Sequence, residues 1–172
     1  LFVKQIKLGK QITVTNPNMT RFMMTLDNAV DLVLYAFQNC NSGDIFVQKS
    51  PAVTIEILTK AVKEILDKTN HEIKIIGTRH GEKLYEVLLS NQEINSSIDE
   101  GNFFRIIPDT RDLNYEKYYG EGDREISKLK EYNSHNAYRL SLEEMKSILM
   151  KSNIIQNILN NIQKRRLMKN HF

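Results

Sequence analysis

A chain of 172 residues with 41% hydrophobic side chains can bury a core, as one domain or as part of a larger one. Its net charge of +3 is mild, whereas a dedicated nucleic-acid binder would carry a concentrated basic stripe, and no apolar run reaches the length of a membrane span. The one cysteine, Cys40, leaves no intramolecular disulfide and no zinc cluster, and is expected to be a reduced structural thiol. No signal peptide is visible, so the cytoplasm is the expected compartment. The first residue is Leu1, inside a helical pattern, and the expectation is that sequence has been lost upstream.

Leu1 to Leu8 carry Phe2, Val3 and Ile6 at helical spacing, closed by Gly9. Ile12 to Thr15 predict a strand, Asn16-Pro17-Asn18 a turn, and Thr20 to Thr25 a second extended piece. Thr25 can cap a helix to about Asn39, with Val30, Val33, Leu34 and Phe37 along one stripe. Asn41 to Asp44 predict a turn and Ile45 to Val47 a short buried strand. Thr54 can cap a further helix whose Ile55, Leu58, Val62, Ile65 and Leu66 face inward. Helices alternating with strands indicate an α/β or α+β domain. Met19, Met23 and Met24 are expected as core filling.

Ile73 to Leu89 is the stretch with the most chemistry. Ile73, Ile75 and Ile76 predict a strand, Gly77 and Gly81 a turn, and Leu84, Val87 and Leu88 one face of a helix. A helix N-terminus there would present free N–H groups and a partial positive charge to an anion. Arg79 adds a planar fork for phosphate or carboxylate, and Glu82 an acceptor for a sugar hydroxyl or a partner that orients Arg79. The combination suits a phosphorylated ligand bearing hydroxyls. A solvated ion pair in a common glycine turn is the other reading. The stretch has neither the phosphate-loop spacing nor the third glycine of a dinucleotide fingerprint.

Beyond Ser90 the chain turns polar. Asn91 to Gly101 predict a loop with one helical turn, Phe103 to Ile107 a strand stopped by Pro108, and Asp109 to Tyr115 a charged turn. Asn133-Ser134-His135-Asn136 is another turn, and Ser141 with Glu144 forms a capping box for a helix bearing Leu142, Met145, Ile148 and Leu149. The tail from Asn153, basic at Lys164-Arg165-Arg166 and Lys169, predicts a marginal surface helix. His71, His80, His135 and His171 are scattered without metal spacing. None of Tyr115, Tyr118 and Tyr119 has a lysine four residues on, no nucleophile elbow occurs, and no catalytic constellation is complete.

Three stretches together resemble one family. Asn18 to Phe22 with Leu26 to Val30 is similar to the arginine-bearing strand and following helix of extended short-chain dehydrogenase/reductases acting on nucleotide sugars. Ile75 to Leu84 resembles their second nucleotide-contacting arginine turn. More narrowly, the chain resembles the UDP-N-acetylglucosamine 4,6-dehydratases of bacterial capsule and O-antigen synthesis. Ile107 to Tyr115, Asn133 to Asn136 and the helix after Ser141 are similar to the C-terminal extension of the capsule-type members, some of which carry the name UDP-glucose 4-epimerase.

The resemblance covers about Leu1 to Met150. It implies a substrate-binding portion at 1–90, a capsule-type extension at 91–150 and a polar, basic tail at 151–172. It implies that Arg21 and Arg79 contact the UDP diphosphate and that Glu82 lies near the ribose. The implied partner is a UDP-sugar, and the intact parent is expected to be a homo-oligomer. NAD(P) is expected in that parent, serving dehydration or epimerisation at C4. The family's Gly-rich dinucleotide site and Tyr-x-x-x-Lys pair are absent from this sequence. This chain is therefore expected to be the C-terminal part without the Rossmann half, holding no cofactor and inactive alone. The competing expectation is a free-standing anion-binding or interaction module built on Arg21, Arg79 and the basic tail.

Overall fold

In the computed structural model, which describes residues 1–108 and 130–169, short strands alternate with helices. The order is α1 (Phe2–Lys7), β1 (Ile12–Val14), β2 (Thr20–Phe22), α2 (Leu26–Asn39), β3 (Ile45–Gln48), β4 (Ala52–Thr54) and α3 (Ile55–Ile65). It continues with β5 (Ile73–Ile75), β6 (Val87–Leu89), α4 (Asn91–Asn95), β7 (Ser97–Asp99) and β8 (Phe103–Ile106), and after the undescribed segment with β9 (Tyr132–Asn133), α5 (Leu142–Met150) and α6 (Asn153–Lys169). The mixed α/β class expected from the sequence holds. The charged stretch Asp109 to Tyr115 and the tyrosines at 118 and 119 lie outside the described residues, as do the side chains of Arg165, Arg166 and Lys169.

Helix starts fall where capping chemistry puts them. The Thr25 hydroxyl accepts from the Asn28 N–H at 3.1 Å, and the Asn28 side chain takes the Thr25 N–H in return. Thr54 caps α3, and Ser90 and Ser141 form capping boxes with Glu93 and Glu144. Each such cap contributes about 0.5–2 kcal/mol.

The described strands pair in four small sheets: β1 with β5 in parallel, β2 with β4, β3–β8–β7, and β6 with β9, the last three antiparallel. Helix α3 sits between two cores. Its Val62 joins Ile6, Ile12, Val14, Leu66 and Ile158, while its Ala61 joins Val53, Leu140 and Met145. Burying each larger aliphatic side chain contributes about 1.5–3 kcal/mol, so this helix couples the N-terminal layer to α5 and α6.

Four local expectations are corrected. The tail is more than a surface helix, because Ile155 and Ile158 of α6 are buried and Ile158 packs into the first core. Cys40 is exposed at the end of α2 and does not pack as a structural thiol. Strand β3 is only half-buried, with Ile45 open to solvent. Of the three methionines, Met19 is buried and Met23 packs on the second core, but Met24 is exposed.

Helix α2 buries none of its residues fully. Tyr35 ties it to the β3–β8 sheet by stacking on Phe103 at 4.3 Å between ring centroids. The opposite stripe, Val30, Val33, Leu34 and Phe37, faces water, with Phe37 80% exposed. Ile73, Ile75 and Ile76 at the β5 edge are exposed as well. Parallel strands are normally covered on both faces, so this side of the fold leaves large apolar surface without a partner among the described residues.

The cap of α5 gives a pH dependence. The Glu144 carboxylate accepts from the Ser141 N–H at 2.8 Å, from the Tyr138 hydroxyl at 2.7 Å and from the Ser141 hydroxyl at 2.7 Å. These bonds, the backbone one first, hold its pKa at about 2 against an ordinary 4.5. A depressed carboxyl stabilises the fold fully above its unfolded pKa, and the contribution is lost as pH falls from there toward 2. Glu144→Gln is expected to flatten the acid limb of a thermal-melting series between pH 5 and pH 2, relative to the unsubstituted protein.

Candidate functional site

The parallel pair β1–β5 delivers the chain to the turn that the sequence singles out. The Ile76 N–H donates to Val14 O at 2.8 Å, one residue past the strand, and Gly77 then takes φ 82°. Gly81 takes φ 78°. Only glycine enters that region at little cost, and that freedom is their role here, because a Cβ at either position would meet nothing within 4 Å.

No helix follows Gly81. The predicted helix is replaced by a turn closed by Glu82 N–H to Arg79 O at 3.1 Å, and Val87 to Leu89 form strand β6 against β9. Three apolar residues at helical spacing gave a weak local preference, and pairing with a strand far along the chain overrides it. The helix-terminus contribution to anion binding is therefore withdrawn. Whatever charge the turn offers comes from its side chains.

Those side chains converge. Arg21, Arg79 and Glu82 line one cavity of about 240 Å³, with Thr13, Thr15 and Met19 among its walls. Arg79 is exposed, and its guanidinium has no partner among the described residues. Glu82 is half-buried and held: it accepts from the Thr15 hydroxyl at 3.2 Å and from the Arg79 N–H at 3.2 Å. It thus fixes the backbone of Arg79 and leaves the guanidinium open.

Arg21 is differently employed. Its Nη1 donates to Thr20 O at 2.7 Å and its Nη2 to Lys83 O at 2.9 Å, while Nε lies 3.7 Å from a Glu86 carboxylate oxygen. Arg21 therefore staples the turn to β2 and presents only part of its donor set to the cavity.

Sequence reasoning missed the residues behind this staple. Glu86 also accepts from the Phe22 N–H at 2.9 Å. Ser134, fully buried, has its hydroxyl 2.7 Å from the Thr20 hydroxyl and accepts from the Glu86 N–H at 2.9 Å. The Ser134 N–H donates to Glu86 O at 2.8 Å. His135 Nδ1 lies 3.0 Å from the Thr20 hydroxyl, and its ring packs on Tyr85 at 4.8 Å between centroids. Nothing local in Asn-Ser-His-Asn signals burial; the turn was legible, its partner was not.

On this mixed α/β frame, the cavity sets one free guanidinium and one tethered guanidinium beside a carboxylate. Comparison with known proteins gives the frame its family. A model described as polysaccharide biosynthesis protein matches residues 1–108, and one described as polysaccharide biosynthesis protein C-terminal matches residues 109–156. The chain belongs to the polysaccharide biosynthesis protein family.

It is 53% identical over 161 residues to a UDP-glucose 4-epimerase of Rickettsia massiliae (strain Mtu5), and 54% identical over 161 residues to one of Rickettsia akari (strain Hartford). Each alignment covers 94% of this chain and 47% of the relative, so the chain spans about half the length of the curated relatives it matches. The X-ray structure of Pen from Bacillus thuringiensis superposes with a TM-score of 0.69 at 30% identity, covering 88% of this chain and 43% of that one.

The two arginines should separate in their effect on folding. Arg21→Ala removes bonds to the Thr20, Lys83 and Leu84 carbonyls and is expected to cost about 1.5–3 kcal/mol. Arg79→Ala touches no described partner and should stay within about 0.5 kcal/mol. Urea denaturation of the two variants measures the difference.

Proposed function

We propose that this chain is the substrate-side part of a longer UDP-sugar enzyme of polysaccharide biosynthesis, and that Arg21, Arg79 and Glu82 bind the nucleotide portion of that substrate. The observation that carries the proposal is the meeting of these three side chains in one cavity, on a chain of this family. A diphosphate needs its charge met by fixed forks, and Arg79 is open for that contact. Glu82, already accepting two bonds, retains acceptor capacity for a ribose hydroxyl. The 1–90 segment is the substrate portion in this reading, 91–150 the extension, and 151–172 a tail docked through Ile155 and Ile158.

The relatives' name favours 4-epimerisation over 4,6-dehydration. In either reaction NAD(P) supplies hydride removal and return. The described residues do not fit that cofactor: the parallel pair β1–β5 leads into a turn with no helix behind it, and its glycines face open space with no close approach to make. The dinucleotide is assigned to the part of the longer protein outside this chain, and the exposed stripe of α2 with the β5 edge is the surface that part would cover. No membrane-crossing helix occurs among the described residues, and a cytoplasmic enzyme is the proposed setting.

Calorimetric titration of UDP into the natural full-length protein tests the site. Loss of one charge-assisted contact costs ~1.5–3 kcal/mol, so Arg79→Ala should weaken UDP by about one to two orders of magnitude. Arg79→Lys should recover part, since a point charge cannot make a bidentate contact. Glu82→Gln, which keeps one acceptor, should matter less. Unchanged affinity in folded Arg79→Ala overturns the assignment.

A further inference from the structure

The hydrogen bonds behind the cavity cross the boundary between the two family segments. Thr20, Arg21 and Glu86 belong to residues 1–108, and Ser134 and His135 to residues 109–156. We infer that Ser134 is a positioning residue: its buried hydroxyl sets the geometry of the 77–86 turn, so that the C-terminal segment fixes the site carried by the first. The inference rests on the reading that this cavity binds the diphosphate.

The geometry is specific. The Ser134 hydroxyl is within hydrogen-bond distance of three groups: the Thr20 hydroxyl at 2.7 Å, Thr20 O at 3.2 Å and the Glu86 N–H at 2.9 Å. The Thr20 N–H takes Leu84 O at 3.0 Å, so the same pair of residues grips the turn from both sides of Tyr85. Arg21, next in the chain, then closes on Lys83 O and Glu86. The backbone of the C-terminal arm, from Lys83 to Glu86, is thus bonded to Thr20, Arg21 and Ser134, while Thr15 and Phe22 bond the Glu82 and Glu86 side chains. The other arm is held through Ile76, by the parallel pairing to β1.

A buried hydroxyl that merely filled space could be replaced by a methyl group at small cost. This one cannot, because removing it leaves the half-buried Glu86 N–H without its acceptor and takes from the buried Thr20 hydroxyl the partner at 2.7 Å. Thr20 and Ser134 are both essentially inaccessible to water. The consequence is local: the 82–86 segment loosens, and with it Glu82, whose carboxylate takes the Arg79 N–H at 3.2 Å and so holds the backbone that carries Arg79.

The test is a double-mutant cycle on the full-length protein, with UDP binding as readout at a temperature where circular dichroism shows every variant folded. Ser134→Ala is expected to weaken UDP by about two- to tenfold, the worth of one net hydrogen bond, in the presence of Arg79. In the Arg79→Ala background the same change should cost less than half of that factor, because the group it positions is gone. Amide exchange should accelerate in the 82–86 segment while α3 stays protected.

Should Ser134→Ala fail to fold, Thr20→Val removes the partner hydroxyl and keeps the shape, and Thr20→Ser should restore the binding that Thr20→Val loses. If Arg79→Ala weakens UDP while Ser134→Ala leaves it unchanged, or weakens it equally in both backgrounds, the positioning role is overturned and the site stands. If Arg79→Ala itself has no effect, the site reading falls and the positioning role falls with it.

Discussion

Two buried hydroxyls 2.7 Å apart, on Thr20 and Ser134, join parts of the chain that are 114 residues apart in sequence. Neither can be left alone. A buried polar group without a partner costs roughly 1–3 kcal/mol, so the pair is stable only if both arrive together with the Glu86 N–H. That requirement places β2, the 77–86 turn and the Asn133–Asn136 turn in one arrangement. Arg21 then completes it by bonding to Thr20 O and Lys83 O.

The packing beneath this node is divided, and α3 does the joining. Val62 and Ala61 are neighbours in sequence and serve different cores, one with β1 and α6, the other with β4 and α5. The cavity sits on the first of these layers, walled by Thr13 and Val14 of β1 and by Ile55 at the start of α3. On another side, α2 and β5 keep aliphatic and aromatic side chains in water. Covering each would contribute about 1.5–3 kcal/mol, which is why a chain spanning about half of its relatives' length is read as one partner of a larger buried surface.

What the sequence made legible was local. Thr25, Thr54 and Ser141 announce helix starts because a capping hydroxyl and its backbone partner are three residues apart, a geometry independent of the rest of the fold. The apolar stripe of α2 was legible as well, because helical spacing alone puts Val30, Val33, Leu34 and Phe37 on one side. Pairing over distance was not. Val87 and Leu88 read as the face of a helix until β9 supplies the ladder, and Ile158 of α6 looked like surface until the core of Ile12 and Val62 takes it in. The two arginines were picked by resemblance and by the chemistry of a planar fork. That one of them would spend its donors on backbone carbonyls could not be read from spacing, because the carbonyls belong to a turn some sixty residues later.

The division of labour between the arginines is the central proposal: Arg21 secures the turn, and Arg79, left open, is the one proposed to meet the ligand's charge. A crystal structure of the full-length protein with UDP tests it most directly. The account predicts a diphosphate oxygen within hydrogen-bond distance of the Arg79 guanidinium, in the cavity bordered by Glu82, with Arg21 still bonded to Lys83 O. A diphosphate bound away from Arg79, or an Arg21 that abandons Lys83 while Arg79 remains in solvent, would contradict it.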